Sequence, residues 1–500
     1  MLPVALTIVI EIGLDRTPIT GDLAAIEFGV LNALRLEQLV GVYSRHGWFH
    51  PGPLQFYLLA PGYWLSGYAS AALFIGTAVA NLGALALMAA TWWRTYRCAW
   101  TRLVFLAFVS VLMVSVGSID LPYWETTSPL SAPWNPLVVV LPYGAFILLC
   151  ARLGEGDLRL LPAAVALHAF LAQTHAGCAL VATGALLVGL GYLVASWQRR
   201  PAPERSPGPW VGLSAVVLGC AWLLPLLDQL SGNGNLLRVL QHATGSAHIG
   251  CGQGIVHTAL HITDWRLPLF TEAQCSRGRE NAALVVAAVQ LLLLVVSYRR
   301  ARSCNWPFTA RLCSLLTVLF LLSPLAAWRL DNERYFYLTL WLPMQSALTW
   351  AVIVVVSVRT TLLPRPHVSR AFCILAVVVT IVASAAHVRV LLDRVASSSS
   401  TTWKSTTVAA MVEPAVRQLR IDPDTTIRET HGGGVLVGLV LQLVKRGLRP
   451  RVSQAWCREL GSYVKCTSPS NPELVVRRQP ASACQQLVRQ NALSLCLERR

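Results

Sequence analysis

Apolar residues recur in runs of membrane-spanning length along most of the chain, broken by short arginine-rich or proline-rich stretches. As a helix, about 20 such residues cross a hydrocarbon core near 30 Å thick. Runs near residues 2–14, 70–93, 103–119, 135–151, 159–174, 177–197, 210–227, 281–298, 312–328, 335–357 and 371–390 predict an α-helical polytopic membrane protein with about eleven transmembrane helices. The first run is short. Leu2–Leu14 has 13 residues, and it lacks both a basic n-region and a small-residue cleavage site. It therefore reads as a span whose start codon is placed too late, and not as a signal peptide.

Between the first two runs, residues 15–69 change pattern without losing helix period. "GDLAAIEFGVLNAL" reads as an amphipathic surface helix with Asp22 at its N-cap, a position where a carboxylate satisfies free N–H groups. "YSRHGWFHPGPLQFYLLAP" then brings Arg45, His46 and His50 against Pro51 and Pro53, and Pro53 opens a second, aromatic surface helix. Trp48, Phe49, Phe56, Tyr57, Tyr63 and Trp64 are expected at headgroup level, so the stretch reads as a water–lipid boundary site. At the other end of the chain the pattern changes again. A Ser/Thr linker at 398–402 separates a transmembrane domain, 1–397, from a tail, 403–500. There "TTIRE" and "LRPRVS" flank the helix "GVLVGLVLQLVKRG", a small α/β unit of β-α-β type. "HGGG" at 431–434 reads as a tight turn into that helix.

Composition removes the alternative of a three-domain soluble protein: 54% of residues are hydrophobic, 13% are charged, and mean hydropathy is +0.53. The net charge of +17 does not imply nucleic acid, because the arginines sit at helix ends, where the positive-inside rule places them. Junctions carrying Arg94/Arg97/Arg102, Arg152/Arg159, Arg199/Arg200/Arg205, Arg299/Arg300/Arg302/Arg311 and Arg359/Arg365/Arg370 are expected in the cytoplasm. The amino terminus is then cytoplasmic, and loops 15–69, 120–134 and 228–280 and the tail are extracytoplasmic. Cysteines follow that division. Cys251 and Cys275 share an outer loop, and Cys457, Cys466, Cys484 and Cys496 share the tail. Even numbers outside predict disulfides, a stapled tail among them, with three connectivities open.

Polar groups converge on the outer face. Asp22 follows the first span and Glu27 comes little more than a turn later; "SAPWNP" opens the fourth span, "QTH" with His175 joins the fifth and sixth, and "DNERYFYLTLWLP" opens the tenth. Arg329 and Arg334 lie outside against the charge trend, and guanidinium groups suit bidentate phosphate contacts. Pairing of these arginines with Asp331 or Glu333 is the plainer alternative. The histidines are scattered, and no His/Asp/Glu spacing reads as a metal site.

These motifs resemble the GT-C superfamily of membrane glycosyltransferases, which includes protein O-mannosyltransferases and the lipid A aminoarabinose transferase, and within it a bacterial subgroup. The family's acid in the first outer loop is matched by Asp22. The acid usually following it is replaced by Leu23, leaving Glu27 as a substitute. A "PPL"-type helix start reads here His50-Pro51-Gly52-Pro53-Leu54, with a glycine inserted, and Arg334-Tyr335…Pro343 resembles the start of a late span. The resemblance covers residues 1–390. It implies a GT-C fold in the bacterial inner (cytoplasmic) membrane and an inverting transferase working on the extracytoplasmic face. A polyprenyl-phosphate sugar would be the donor and a glycan, lipid or protein the acceptor, with a divalent metal left open. It further implies Asp22, with Glu27, in catalysis, and Arg45, His46, His50, His175, Arg334 and Tyr335 in substrate binding. The alternative is a transporter or flippase of a polyprenyl-linked or similar amphiphile, which predicts charges deep within spans and repeat symmetry.

Overall fold

The computed structural model describes residues 21–44, 46–117, 131–199, 208–245, 251–263, 277–329, 336–361, 366–397, 426–429, 434–452, 457, 460–466, 473–477, 486–490 and 493–499. The first predicted span, Arg45, Arg334, Tyr335 and Cys275 lie outside the described residues. Among the described residues, seven helices are long and apolar enough to cross a membrane: α3 (Ala71–Thr95), α5 (Asn135–Leu153), α7 (Ala176–Gln198), α8 (Gly208–Leu230), α11 (Arg277–Ser303), α12 (Pro307–Trp328) and α13 (Leu342–Thr361). Shorter apolar segments supply α4 (Ala99–Gly117), α6 (Leu161–Thr174) and α14 (Pro366–Ser397). Each falls on a predicted run, and together they make a multi-pass membrane protein.

The bundle is ordered around α5, whose residues 140–153 are all buried. A helix apolar all round belongs inside other helices. Outer helices instead present branched side chains outward: Val211, Val216, Leu223 and Leu227 on α8 and Ile374 and Ile381 on α14 are exposed. In water such faces would drive aggregation; in lipid they cost nothing. Uncharged polar contacts tie the interior together. Tyr143 donates to Gln345 at 3.1 Å, Gln290 donates to the Ser346 hydroxyl at 3.2 Å, and Ser346 donates to the Ile262 carbonyl at 2.8 Å.

The described part of residues 15–69 folds into two short helices, α1 (Gly21–Leu34) and α2 (Leu54–Leu65), as the pattern predicted. Its aromatic residues do not form the expected belt. Trp48, Phe49, Phe56 and Tyr63 are buried in protein, and Trp64 alone of the predicted six is largely exposed. The reason is α1, buried from Leu23 to Ala33, which lies between α2 and the tail. It offers Phe56 and Tyr63 a protein surface in place of lipid, while Trp48 lies against His242 and Phe49 is held by Asn235.

The tail's described residues form one six-stranded sheet with strand order β3-β2-β1-β4-β6-β5. β1 (Thr426–Glu429), α15 (Gly434–Lys445) and β2 (Arg451–Val452) make the predicted β-α-β unit, with β1 and β2 parallel. β3 (Lys465–Cys466) extends it, while β4 (Glu473–Arg477), β5 (Gln486–Gln490) and β6 (Leu493–Arg499) add an antiparallel half. A Cys457–Cys466 disulfide ties the loop before β3. Cys484 and His431 lie outside the described residues. The tail is docked on the membrane domain: the Tyr463 hydroxyl donates to the Leu31 carbonyl at 3.3 Å, and Arg35 stands 5.1 Å above the Tyr463 ring.

Candidate active site

The segment between α1 and α2 is a small hairpin. Gly41 N–H donates to the His50 carbonyl and His50 N–H to the Val42 carbonyl, each at 2.8 Å, and Tyr43 bridges Phe49 antiparallel. A clamp from another part of the chain holds it. Asn235 opens α9 (Asn235–Thr244); its side chain accepts from Phe49 N–H at 2.8 Å and donates to the Phe49 carbonyl at 2.9 Å. Asp228 at the end of α8 in turn accepts from the Asn235 N–H at 3.2 Å.

Past the hairpin, Gly52 presses on the "QTH" junction. Its N–H donates to the Gln173 carbonyl at 3.3 Å, and a Cβ there would stand 2.1 Å from Gln173 Oε1. The glycine inserted in the "PPL"-type motif is thus required by contact. Gly52→Ala should lower stability by about 1–3 kcal/mol, the usual result of overpacking. Thermal unfolding of the purified variant checks this; an unchanged midpoint would mean that Gln173 moves aside.

A cavity of about 560 Å³ opens between the hairpin, the starts of α5 and α7, one face of α9 and the end of α12. Polar lining comes from Asp22, His46, His50, His175, His242 and Arg329. Leu236, Val239, Leu240 and Ala243 of α9 supply an apolar wall at i, i+3, i+4, i+7 spacing. The histidines and Trp48 form a chain of rings: His46 stacks on His242 at 4.9 Å, Trp48 lies 5.4 Å from His242 and 5.3 Å from His50, and His50 stacks on His175 at 5.3 Å. His50 Nδ1 accepts from the Ala176 N–H at 3.1 Å, which places any proton of the neutral ring on Nε2. Burial, and next the neighbouring His175, hold His50 well below its usual range. Burial holds His175 at about 4.

These shifts have a sign. A histidine whose folded pKa is depressed is kept neutral by the fold, while the unfolded chain takes up its proton near pH 6.5. Stability from His175 is therefore present above about pH 6.5 and falls with pH down to about 4. His175→Gln should flatten the decline of thermal stability between those limits. A decline as steep in the variant as in wild type would contradict the neutral, buried ring.

Asp22 is exposed, in the first turn of α1; Gly21 opens that helix at φ +55°, so Asp22 is not an N-cap outside it. Its Oδ2 accepts from the Trp134 indole at 3.0 Å. Trp134 is buried and precedes α5, whose early Pro136 sets the helix start, and its ring lies 5.4 Å from Tyr337. Trp134 of the "WNP" motif thus touches both the acid and Tyr337. Arg329 at the end of α12 donates to the Ala243 carbonyl at 3.1 Å and stands 4.4 Å above Trp328.

Glu27 does not join this group. It is 1% exposed and is not among the cavity's lining residues. Tyr63 donates to it at 2.6 Å, Ser70 at 3.0 Å, and Lys445 of the tail forms an ion pair with it. Glu27, expected with Asp22 in catalysis, thus stands apart from the cavity and joins α1 to the tail. Of the remaining expected residues, Asp22, His46, His50 and His175 come together. Sequence reasoning missed His242 and the Asn235 clamp, although the apolar spacing of "NLLRVLQHAT" was the available signal. Among the described residues no three His, Cys, Asp or Glu could together hold a metal ion.

The bundle, with two short helices before α3 and a carboxylate at the cavity, has the fold of a membrane protein of known structure. The comparison that defines it is with the crystal structure of ArnT from Cupriavidus metallidurans bound to undecaprenyl phosphate: TM-score 0.55, 14% identity, 99% of this chain and 97% of that one. The fold expected from the sequence is therefore the fold observed. No protein-family model and no curated protein sequence matches the chain.

Proposed function

We propose that the protein is a glycosyltransferase that moves a sugar from a polyprenyl-phosphate donor to an acceptor on the extracytoplasmic face of the bacterial inner membrane. The observation that carries the reading is the Asp22 carboxylate, held by Trp134, in a cavity that has an arginine and an apolar wall. The similar fold of ArnT, whose structure is bound to undecaprenyl phosphate, supports a polyprenyl-linked substrate. In the reaction, Asp22 takes the proton of an acceptor hydroxyl as its oxygen attacks the anomeric carbon. The bond from that carbon to the phosphate oxygen breaks, and its electron pair leaves with the lipid phosphate. Arg329, in the lining of the same cavity, is one candidate for the cation that holds that phosphate, and Arg334, five residues on, is the other. Neutral His50 and His175 serve as hydrogen-bonding walls without adding charge, and Leu236, Val239 and Leu240 suit the prenyl chain. Arg45 and Tyr335 keep their proposed binding roles from the sequence motifs. The acceptor is a glycan, lipid or protein.

The interior polar contacts of the bundle favour this reading over a transporter, since Tyr143, Gln290, Gln345 and Ser346 are uncharged and engage one another. Mass spectrometry of lipid bound to the purified protein tests the substrate class. Undecaprenyl phosphate should be retained, and Arg329→Gln should weaken its retention about tenfold. Retention no stronger than that of a neutral prenol would contradict phosphate recognition.

A further inference from the structure

The end of the bundle opposite the histidine-lined cavity carries a second concave site of about 860 Å³. It is walled by the last turns of α3, α5 and α13 and the first turns of α4 and α12. Six arginines line it, Arg94, Arg97, Arg102, Arg152, Arg311 and Arg359, against one carboxylate, Glu155. That carboxylate is already shared: Arg152 donates to it at 2.6 Å, and Arg311 lies 3.9 Å away. Two guanidinium groups are held on tryptophan faces, Arg102 at 5.7 Å from Trp93 and Arg359 at 4.1 Å from Trp306. Arg94 and Arg97 are exposed, with no acidic partner among the described residues.

The arginine bias that orients a membrane protein asks only that basic residues lie at one end. It does not ask that they converge on one concavity from five helix ends. Converged like charges repel, and more strongly where water is partly excluded. A bound anion removes that repulsion, and guanidinium forks engage phosphate oxygens bidentately. The tryptophans put the site at headgroup depth, and its volume falls within the roughly 300–1,000 Å³ of small-ligand pockets. We propose that this pocket binds the phosphodiester headgroup of an anionic phospholipid from the leaflet at that end of the bundle.

The full-length protein, stripped of lipid in detergent, can be titrated with phosphatidylglycerol, phosphatidylcholine or inorganic phosphate and read by native mass spectrometry. Phosphatidylglycerol should bind at least about tenfold more tightly than phosphatidylcholine, and Arg94→Gln/Arg97→Gln should remove most of that preference. Both arginines are exposed, so the thermal midpoint of the variant in phosphatidylcholine should match wild type. Arg159→Gln, an exposed arginine outside the cavity, should change nothing. Equal binding of the two lipids, or a preference that survives the double substitution, would overturn the site. Displacement of phosphatidylglycerol by millimolar inorganic phosphate would make it a soluble-anion site and overturn the lipid assignment.

Discussion

Asp22→Asn is expected to cut sugar transfer by at least about 100-fold while the protein keeps its fold. The side chain lies in the first turn of α1 and accepts a hydrogen bond from the Trp134 indole at 3.0 Å. Asparagine is isosteric and keeps an acceptor oxygen for that bond, and near a helix start it is about as favourable as aspartate. What it lacks is a carboxylate able to take the acceptor's proton. Trp134→Phe is the companion variant: it removes the donor that orients the carboxylate but leaves the base, so its loss of kcat should be clearly smaller. Thermal midpoints of both should stay near wild type. Transfer by Asp22→Asn within a few-fold of wild type would remove Asp22 from the chemistry.

Lys445→Met should destabilise the junction between the membrane domain and the tail by about 3 kcal/mol or more. The substitution keeps the aliphatic stem but leaves the Glu27 carboxylate buried without its cation. Tyr63 and Ser70 still donate to it, at 2.6 and 3.0 Å, and burial, then the Glu27 carboxylate, push the Tyr63 hydroxyl above its usual range, so it stays a donor. Two neutral donors do not replace an ammonium group when the carboxylate is 1% exposed. Glu27→Gln in the Lys445→Met background should recover much of the loss, because the charge that needs a partner is gone. Limited proteolysis of the tail and thermal unfolding read both effects. Glu27→Gln alone separates docking from catalysis: folded protein should transfer sugar within a few-fold of wild type. A loss matching that of Asp22→Asn would return Glu27 to the reaction.

The bundle was legible because each membrane-spanning helix is written in one uninterrupted apolar run, and the run alone fixes its element. The site was legible in part, for a different reason. Asp22, His50 and His175 sit beside prolines and glycines that interrupt apolar pattern, so their oddity shows without neighbours. Glu27 looked equivalent to Asp22 because sequence gives position along a helix, and not what covers each face. Lys445, more than four hundred residues away, takes the carboxylate on the tail side of α1. Asn235 and His242 escaped for the same reason: their partners, Phe49 and His46, belong to a loop with no local relation to α9. The aromatic residues of 48–63 were expected at headgroup level because composition cannot tell a membrane surface from a protein surface supplied by distant residues such as Glu27 and Asn235.

The central claim is that the Asp22 cavity breaks a sugar–phosphate bond on a polyprenyl carrier. Its most direct test is release of polyprenyl phosphate from polyprenyl-phosphate sugars by the purified protein, in detergent and without a gradient, with a panel of sugars and acceptors. The account predicts acceptor-dependent release by wild type that Asp22→Asn abolishes. No release by folded wild-type protein across the panel, with the same lipids carried across proteoliposome membranes, would contradict it and make the protein a transporter.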